Sequence, residues 1–257
     1  MMTEIWDLMM PMVSISKSLY LKVILLLLLI TSAATASAKV YLVSVGVSDY
    51  PGWSNDLQLP HNNAATMKWL YGENKNAETA LLMNSQATVS NVMNAMSRLF
   101  SKATENDIVT LFISGHGVPG GFMCFDGCLA YSYIKQIMSR CRSKNKMIFA
   151  DTCFSGSMRS SLSGANNYGG LKGTNVMLFM SCRENEYSWE APGKTNAMFT
   201  YALQHGLRGG ADYDRNRIIT ARELFKYTSE KVKQMSRNRQ HPVMWGKFPN
   251  SMPVMKW

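Results

Sequence analysis

A histidine and a cysteine each follow directly on a short apolar segment. His116 lies in a Ser-Gly-His-Gly sequence after residues 108–113, and Cys153 lies in an Asp-Thr-Cys-Phe-Ser-Gly sequence after residues 147–150. Apolar runs of this length, bounded by Gly and polar residues, predict strands that are buried on both faces of a parallel sheet. Open α/β sheets place their active sites at the carboxyl ends of such strands. An imidazole and a thiol brought together there form a nucleophile with its proton acceptor.

The chemistry predicted for this pair is attack on a carbonyl carbon. Cys153 would react as the thiolate, the form that an adjacent imidazolium favours, and His116 would then protonate the leaving group. This reaction requires no cofactor. Each residue alone is more often structural, as an inert buried thiol or a hydrogen-bonded core histidine. The two strand-end contexts together favour a catalytic pair.

The elements that must position this pair alternate along the chain. Strands are predicted at 40–47, 81–83, 108–113, 147–150 and 176–180, with an edge strand at 241–248, and helices at 62–71, 89–101, 131–141, 196–207 and from 221 onward. Residues 122–129 resemble a hairpin. Alternation of strand and helix predicts a parallel sheet that is covered by helices on both faces.

The first 38 residues have the features of a targeting segment. Two lysines precede the apolar run 23–30, and small residues follow it up to Ala38. This order is typical of a secretory signal peptide, and the run is shorter than the ~20 residues of a membrane span. We therefore predict cleavage near Ala38, a secreted or periplasmic protein with no stable membrane span, and a single domain over residues 39–257.

The composition is basic, with 27 Lys and Arg against 17 Asp and Glu and a net charge of +10. The basic residues are scattered, and the densest set falls in residues 226–239 on a predicted helix. This distribution favours a solvated face over a polyanion site, and we predict no nucleic-acid partner.

The sequence resembles the caspase-type cysteine peptidases, the clan that includes metacaspases and paracaspases. The resemblance covers the two motifs, the strand at 41–48 and the later segment 199–203. The sequence is similar to the metacaspase side because Asp-Thr-Cys stands where caspases carry Gln-Ala-Cys. It differs from metacaspases at Phe154, where a His commonly follows the Cys.

This resemblance implies a doubly wound, mostly parallel six-stranded sheet and a cysteine-type endopeptidase that acts on proteins or peptides. It assigns the oxyanion hole to the backbone N–H groups of Gly117 and Cys153. It also implies a large-subunit-like part at about 39–158, a flexible linker at about 157–174 and a small-subunit-like part at about 175–257.

Acidic residues predict the substrate preference. Asp151 precedes Cys153 by two residues, so strand alternation places both side chains on the same side. A carboxylate in that position selects a cationic side chain before the scissile bond, the P1 residue, and favours Arg for its bidentate geometry. The segment that contains Glu184, Glu186 and Glu190 resembles the metacaspase loop that completes an acidic pocket. As pocket residues we favour Glu190 first, then Glu186, then Glu184, although acids on a surface loop would show the same pattern. The prediction is cleavage after Arg or Lys.

The predicted linker is a candidate for self-cleavage. Residues 157–174 are rich in Ser, Gly and Asn and have no apolar period, as in exposed loops that proteases cut. The segment carries two basic residues, of which Lys172 has more slack than Arg159 to reach the Cys153 site.

Residues 212–223 match a 12-residue calcium loop. The candidate ligands are Asp212, Asp214, Asn216, Ile218 and Glu223. Arg217 stands where such loops normally carry Gly. The alternative is structural, since Thr220 and Glu223 also form the pattern of a capping box that begins the last helix. Both interpretations remain open from the sequence.

The sequence contains five cysteines. A free nucleophile at Cys153 accounts for the odd number, and Cys124 with Cys128 forms a candidate disulfide across the predicted hairpin.

Two other functions compete with the peptidase hypothesis. One is a catalytically idle caspase-like binding or scaffold protein, and the other is a calcium-regulated interaction module. The presence of both His116 and Cys153 favours the enzyme.

Overall fold

The computed structural model describes residues 38–118, 120–152, 176–183, 185–190 and 193–256. Cys153, Glu184, the leader 1–37 and the predicted self-cleavage residues Arg159 and Lys172 lie outside these ranges.

The strands are short and the helices span two to four turns. The strands are β1 Val40–Gly46, β2 Ala77–Met83, β3 Ile108–Gly115, β4 Gly117–Val118, β5 Gly121–Cys124, β6 Gly127–Ala130, β7 Asn145–Thr152, β8 Val176–Met180, β9 Ile218–Thr220, β10 Val243–Trp245 and β11 Pro253–Lys256. The helices are α1 Pro60–Gly72, α2 Val89–Phe100, α3 Tyr131–Arg140, α4 Met198–His205 and α5 Ala221–Met235, and short turns lie at Trp53–Asn55, Asn84–Gln86 and Gly206–Gly210.

Six strands form the central sheet in the order β10-β8-β7-β3-β1-β2. Neighbouring strands run parallel except for β10, which is antiparallel to β8. The predicted mostly parallel six-stranded sheet is confirmed. Pro242 immediately precedes β10, in keeping with the tolerance of Pro at sheet edges.

Helices cover both faces of this sheet. Each strand contributes to two cores, because alternate residues point to opposite sides. In β1, Tyr41, Val43 and Val45 pack in the core that α2 and α3 close. Val40 and Leu42 pack on the other side, in the core closed by α1, α4 and α5. Burial on both faces explains why the inner strands are continuous apolar runs.

The register of β3 and β7 decides what meets at the edge of the sheet. Ser114 is paired with Asp151, and Gly115 with Thr152. His116 follows this pair on one strand, and Cys153 follows it in sequence on the other. The predicted adjacency of the two strands is therefore confirmed up to the last described pair.

Between these strands, β4, β5 and β6 form a small antiparallel sheet. Met123 pairs with Cys128 and Cys124 with Gly127, so the two cysteines point to opposite faces of the hairpin. Cys124 is buried, Cys128 is exposed, and both are free thiols. The structure thus does not form the disulfide that the sequence suggested, because cross-linking requires both side chains on one face.

The two-stranded sheet of β9 and β11 was not predicted. It joins the C-terminal residues to the segment that begins α5. The capping box is present, since the Thr220 hydroxyl accepts from the Glu223 N–H and the Glu223 carboxylate accepts from the Thr220 N–H. Within the described ranges, no helix is both long and apolar enough to cross a membrane.

Candidate active site

The His116 ring is oriented by a backbone carbonyl. His116 Nε2 lies 2.7 Å from the carbonyl oxygen of Asn55, in the turn after β1. A carbonyl oxygen can only accept, so Nε2 carries a proton. In the neutral ring the lone pair then belongs to Nδ1, which is the nitrogen available to act as a base.

Tyr50 contacts both the backbone and the ring of His116. Its hydroxyl accepts a 2.9 Å hydrogen bond from the His116 N–H and donates to the Met123 carbonyl at 3.2 Å. The two rings lie 4.9 Å apart between centroids. Burial raises the pKa of Tyr50 well above its ordinary value, so the hydroxyl stays protonated and can donate. Tyr50 thereby joins the turn after β1 to both β3 and the β4–β6 hairpin.

This arrangement requires a glycine at position 115. Gly115 has φ +149°, and a Cβ there would lie 2.6 Å from the Tyr50 hydroxyl. A larger residue would displace either Tyr50 or the end of β3 that presents His116.

Asp151 is a buried carboxylate at the end of β7, with 5% of its surface exposed. One oxygen accepts from the Ser188 hydroxyl at 2.6 Å. The other accepts from the Thr200 hydroxyl at 2.6 Å and from the Thr200 N–H at 3.3 Å. Burial raises the pKa of Asp151, and these hydrogen bonds oppose the rise.

A cavity of about 100 Å³ opens beside Asp151. The carboxyl ends of β3 and β7, the start of α1 and the loop after β8 enclose it. Its lining residues are Leu57, Leu59, Pro60, Asn63, Ser114, Gly115, Asp151, Thr152, Ser188, Glu190 and Ala197. Two of the predicted specificity residues, Asp151 and Glu190, thus share one cavity next to the strand that carries His116.

Glu186 lies elsewhere on the same loop. Its carboxylate accepts from the His241 N–H and lies against His241 Nδ1, both at 2.8 Å. Partial burial, the largest single influence, raises the pKa of Glu186, but the hydrogen bonds from His241 and Arg183 together outweigh it and lower the pKa. The structure therefore gives Glu186 a place in fastening the loop, and it does not line the cavity beside Asp151.

Asn63 connects three elements around the cavity. Its amide nitrogen donates to the Ser114 hydroxyl at 3.0 Å. Its amide oxygen accepts from the Asn196 side chain at 3.1 Å and from the Ala197 N–H at 3.0 Å. This buried network fixes the start of α4, and hence Thr200, against β3.

The predicted calcium loop has converging acids. Carboxylate oxygens of Asp212, Asp214 and Glu223 all lie within 4.8 Å of one another. Arg217, at the position normally held by Gly, has φ +65°, the left-handed conformation that the Gly supplies in such loops. The side chain of Asn216, another predicted ligand, donates to the Asp214 carboxylate and accepts from the Ile218 N–H.

Several residues around His116 and Asp151 carried no usable sequence signal. Tyr50, Asn63 and Ser188 sit in irregular or polar stretches where many residues of their kind are surface residues. Thr200 had a weak signal, as a polar residue in the otherwise apolar run that begins α4, and the structure buries it fully. The carbonyl of Asn55 has none, because every residue has a carbonyl.

Comparisons with known proteins agree with this architecture. A crystal structure of a protein from Geobacter sulfurreducens is similar with a TM-score of 0.62 and 16% identity, covering 84% of this chain and 97% of that one. At this identity the similarity concerns the fold alone. Among curated proteins, none matches the sequence. A family model for the caspase domain matches residues 40–251. Because that match spans most of the sequence, the chain belongs to the caspase-domain family of cysteine peptidases.

Proposed function

We propose that this protein is a cysteine endopeptidase that uses Cys153 and His116 to cleave after Arg or Lys. The observation that carries the P1 preference is the buried Asp151 carboxylate beside the cavity. Of the ion pairs formed within the described ranges, none includes Asp151. A buried carboxylate whose partners among the described residues are all neutral favours a cation from outside, and a guanidinium or ammonium group supplies one.

The reaction would proceed through an acyl-enzyme. The Cys153 thiolate attacks the scissile carbonyl carbon, a C–S bond forms, and the carbonyl electron pair moves to oxygen beside the Gly117 and Cys153 N–H groups. The C–N bond then breaks as His116 protonates the leaving amine. Water, deprotonated by His116, attacks the thioester and releases the carboxylic acid together with the thiol.

The test uses peptides that differ only at P1, together with a labelling experiment. We expect peptides with Arg or Lys to be cleaved and those with citrulline or Asp to be cleaved poorly. A peptidyl-arginine chloromethyl ketone should alkylate Cys153, as located by mass spectrometry. The exposed thiol of Cys128 is an internal control, since a non-selective alkylating agent should label it. A preference for Asp at P1, or labelling confined to Cys128, would contradict the proposal.

Tyr50→Phe tests the support of His116. The change leaves the partly buried His116 N–H without its acceptor, and we expect kcat/KM to fall about tenfold, mainly through kcat. Steady-state kinetics on an Arg peptide measure this effect. Tyr133→Phe removes a hydroxyl from an exposed ring and should leave kcat/KM unchanged. Equal kinetics for Tyr50→Phe and wild type would remove Tyr50 from the site.

We also propose calcium binding at the loop of residues 212–223, supported by the converging acids and the conformation of Arg217. Saturating Ca²⁺ should raise Tm. At a Ca²⁺ concentration of 100 times Kd, binding increases the free energy of unfolding by about 2.7 kcal/mol. Asp214→Asn should abolish the rise, because it removes the charge of one proposed ligand. The variant should still fold, since Asp214 is exposed and takes no part in the capping box. A calorimetric scan with and without Ca²⁺ measures it. A Tm that Ca²⁺ leaves unchanged, or raises equally in the variant, would exclude this site.

We further propose export, with cleavage after Ala38. The Lys39 N–H donates to the buried Asp107 carboxylate at 2.8 Å. Cleavage would turn this N–H into an ammonium group and strengthen the bond by charge. Intact-mass analysis of the protein recovered outside the cytoplasm should find Lys39 as the first residue. A chain that retains the leader in that fraction would contradict cleavage.

A further inference from the structure

Gln240 is a fully buried polar residue between α5 and the edge strand β10. Its own N–H donates to the Ser236 hydroxyl at 3.0 Å, which holds its backbone against the end of α5. Its side chain points toward the loop that follows β8, the loop that carries Ser188 and Glu190.

The Gln240 amide makes three hydrogen bonds to this loop. Its oxygen accepts from the Trp189 N–H at 3.0 Å. Its nitrogen donates to the Ser181 carbonyl at 2.9 Å and to the Ser188 hydroxyl at 3.4 Å. Because a backbone N–H can only donate and a carbonyl can only accept, these partners permit one orientation of the amide.

That orientation also decides the direction of the Ser188 hydroxyl. Ser188 Oγ accepts from Gln240, and its single hydrogen is directed to the Asp151 carboxylate 2.6 Å away. A relay of donors thus runs from Gln240 through Ser188 to Asp151. If Gln240 presented an acceptor instead, the Ser188 hydrogen would have two competing destinations.

The neighbours of Gln240 hold the same loop. The Arg239 guanidinium lies over the Trp189 ring, 4.5 Å from its centroid. His241 holds Glu186, as described above. The consecutive residues 239–241 therefore hold this loop at Glu186, Ser188 and Trp189.

We propose that Gln240 is a positioning residue for P1 specificity, which holds the loop at Ser188 and Trp189 and directs the Ser188 hydroxyl to Asp151. This inference rests on the proposed preference for Arg and Lys. A donor from Ser188 favours the charged form of Asp151, the form that binds a cation. The other groups facing Asp151 are Thr200 from α4 and Glu190 from the loop, while His116 and Cys153 follow the paired ends of β3 and β7.

Two substitutions remove the hydrogen-bond donors of the amide. Gln240→Met is similar in length and removes all three side-chain hydrogen bonds. Gln240→Glu keeps an acceptor for the Trp189 N–H but loses both donors. In each variant we expect KM for an Arg peptide to rise about tenfold while kcat changes little, because binding of the P1 side chain is weakened before the chemical step.

Two readouts distinguish positioning from general destabilisation. The ratio of kcat/KM for Arg over citrulline at P1 should fall about tenfold, since only the charged substrate depends on the Asp151 charge. The acidic limb of the pH profile with the Arg peptide should move to higher pH, because a Ser188 hydroxyl that Gln240 no longer directs to Asp151 stabilises the carboxylate less. Gln234→Met, on the exposed side of α5, is the matched control and should change neither.

Hydrogen exchange supplies a readout independent of activity. In Gln240→Met the amides of residues 181–190, Trp189 above all, should exchange faster, while those of β3 should not. Should Gln240→Met fail to fold, Ser188→Ala breaks the same relay at a partly exposed residue and should reproduce the lost Arg preference. An unchanged Arg-to-citrulline ratio and pH profile in Gln240→Glu and Ser188→Ala would overturn the inference. If wild type cleaves none of the peptides, the proposed function fails, and unchanged exchange in Gln240→Met would overturn the positioning role separately.

Discussion

Replacing Cys153 or His116 by Ala should abolish peptide cleavage. Without Cys153 there is no nucleophile to form the thioester. Without His116 the leaving amine has no proton donor and water has no base, and general acid–base catalysis alone contributes about 10²–10⁴-fold to such reactions. We therefore expect kcat/KM of His116→Ala to fall at least this far, measured with an Arg peptide.

The controls for this experiment lie elsewhere in the same chain. Cys128→Ala removes an exposed free thiol, and His205→Ala removes an exposed imidazole. Both variants should retain the wild-type kcat/KM. Folding of the Ala variants is checked by comparing Tm, since His116 is only partly buried. Undiminished cleavage by either Cys153→Ala or His116→Ala, each free of wild-type enzyme, would remove that residue from the mechanism.

Asp151→Asn should switch the preference at P1 while leaving the protein folded. Losing one buried charged contact costs about 2–5 kcal/mol, so cleavage after Arg should fall roughly 30- to several-thousand-fold. The Asn oxygen can still accept from the Thr200 N–H, and the hydroxyls of Ser188 and Thr200 can rotate. Cleavage of the citrulline peptide should change little, and the ratio of the two kcat/KM values is the measurement.

The raised pKa of Asp151 also determines how its charge affects stability. Because the folded-state pKa is raised, the folded protein binds more protons than the unfolded chain between the two pKa values. Stability is therefore lost as pH rises through this window, and the charged carboxylate is a cost at neutral pH. Asp151→Asn should keep or raise Tm at pH 7 even as it loses activity on Arg.

The same shift predicts a pH dependence that differs between substrates. As the pH falls through the raised pKa of Asp151, kcat/KM for the Arg peptide should fall, since the carboxylate becomes neutral. The citrulline peptide should lack this limb. An Asp151→Asn variant with the wild-type Arg-to-citrulline ratio would show that the cationic side chain binds elsewhere.

The order of the strands and helices follows from local sequence. The strands are continuous apolar runs because both faces of the sheet are covered, and α2 shows the helical apolar period because only one face is buried. Strand β8 was predicted with its observed bounds, and α5 begins at Ala221 as its capping box indicates. The strands β9 and β11 were missed, since each is only three or four residues long and their pairing depends on contacts between distant parts of the chain.

The motifs alone predict His116, Cys153 and Asp151 as site residues, because the residue types and their positions after apolar runs carry the chemistry. Only the tertiary structure decided what orients His116 and Asp151. The Asn55 carbonyl, Tyr50, Ser188 and Gln240 reach the site from loops that are far apart in sequence. Hydrogen bonds between such segments form only once the sheet has brought its strand ends together, so no local pattern in the sequence reports them.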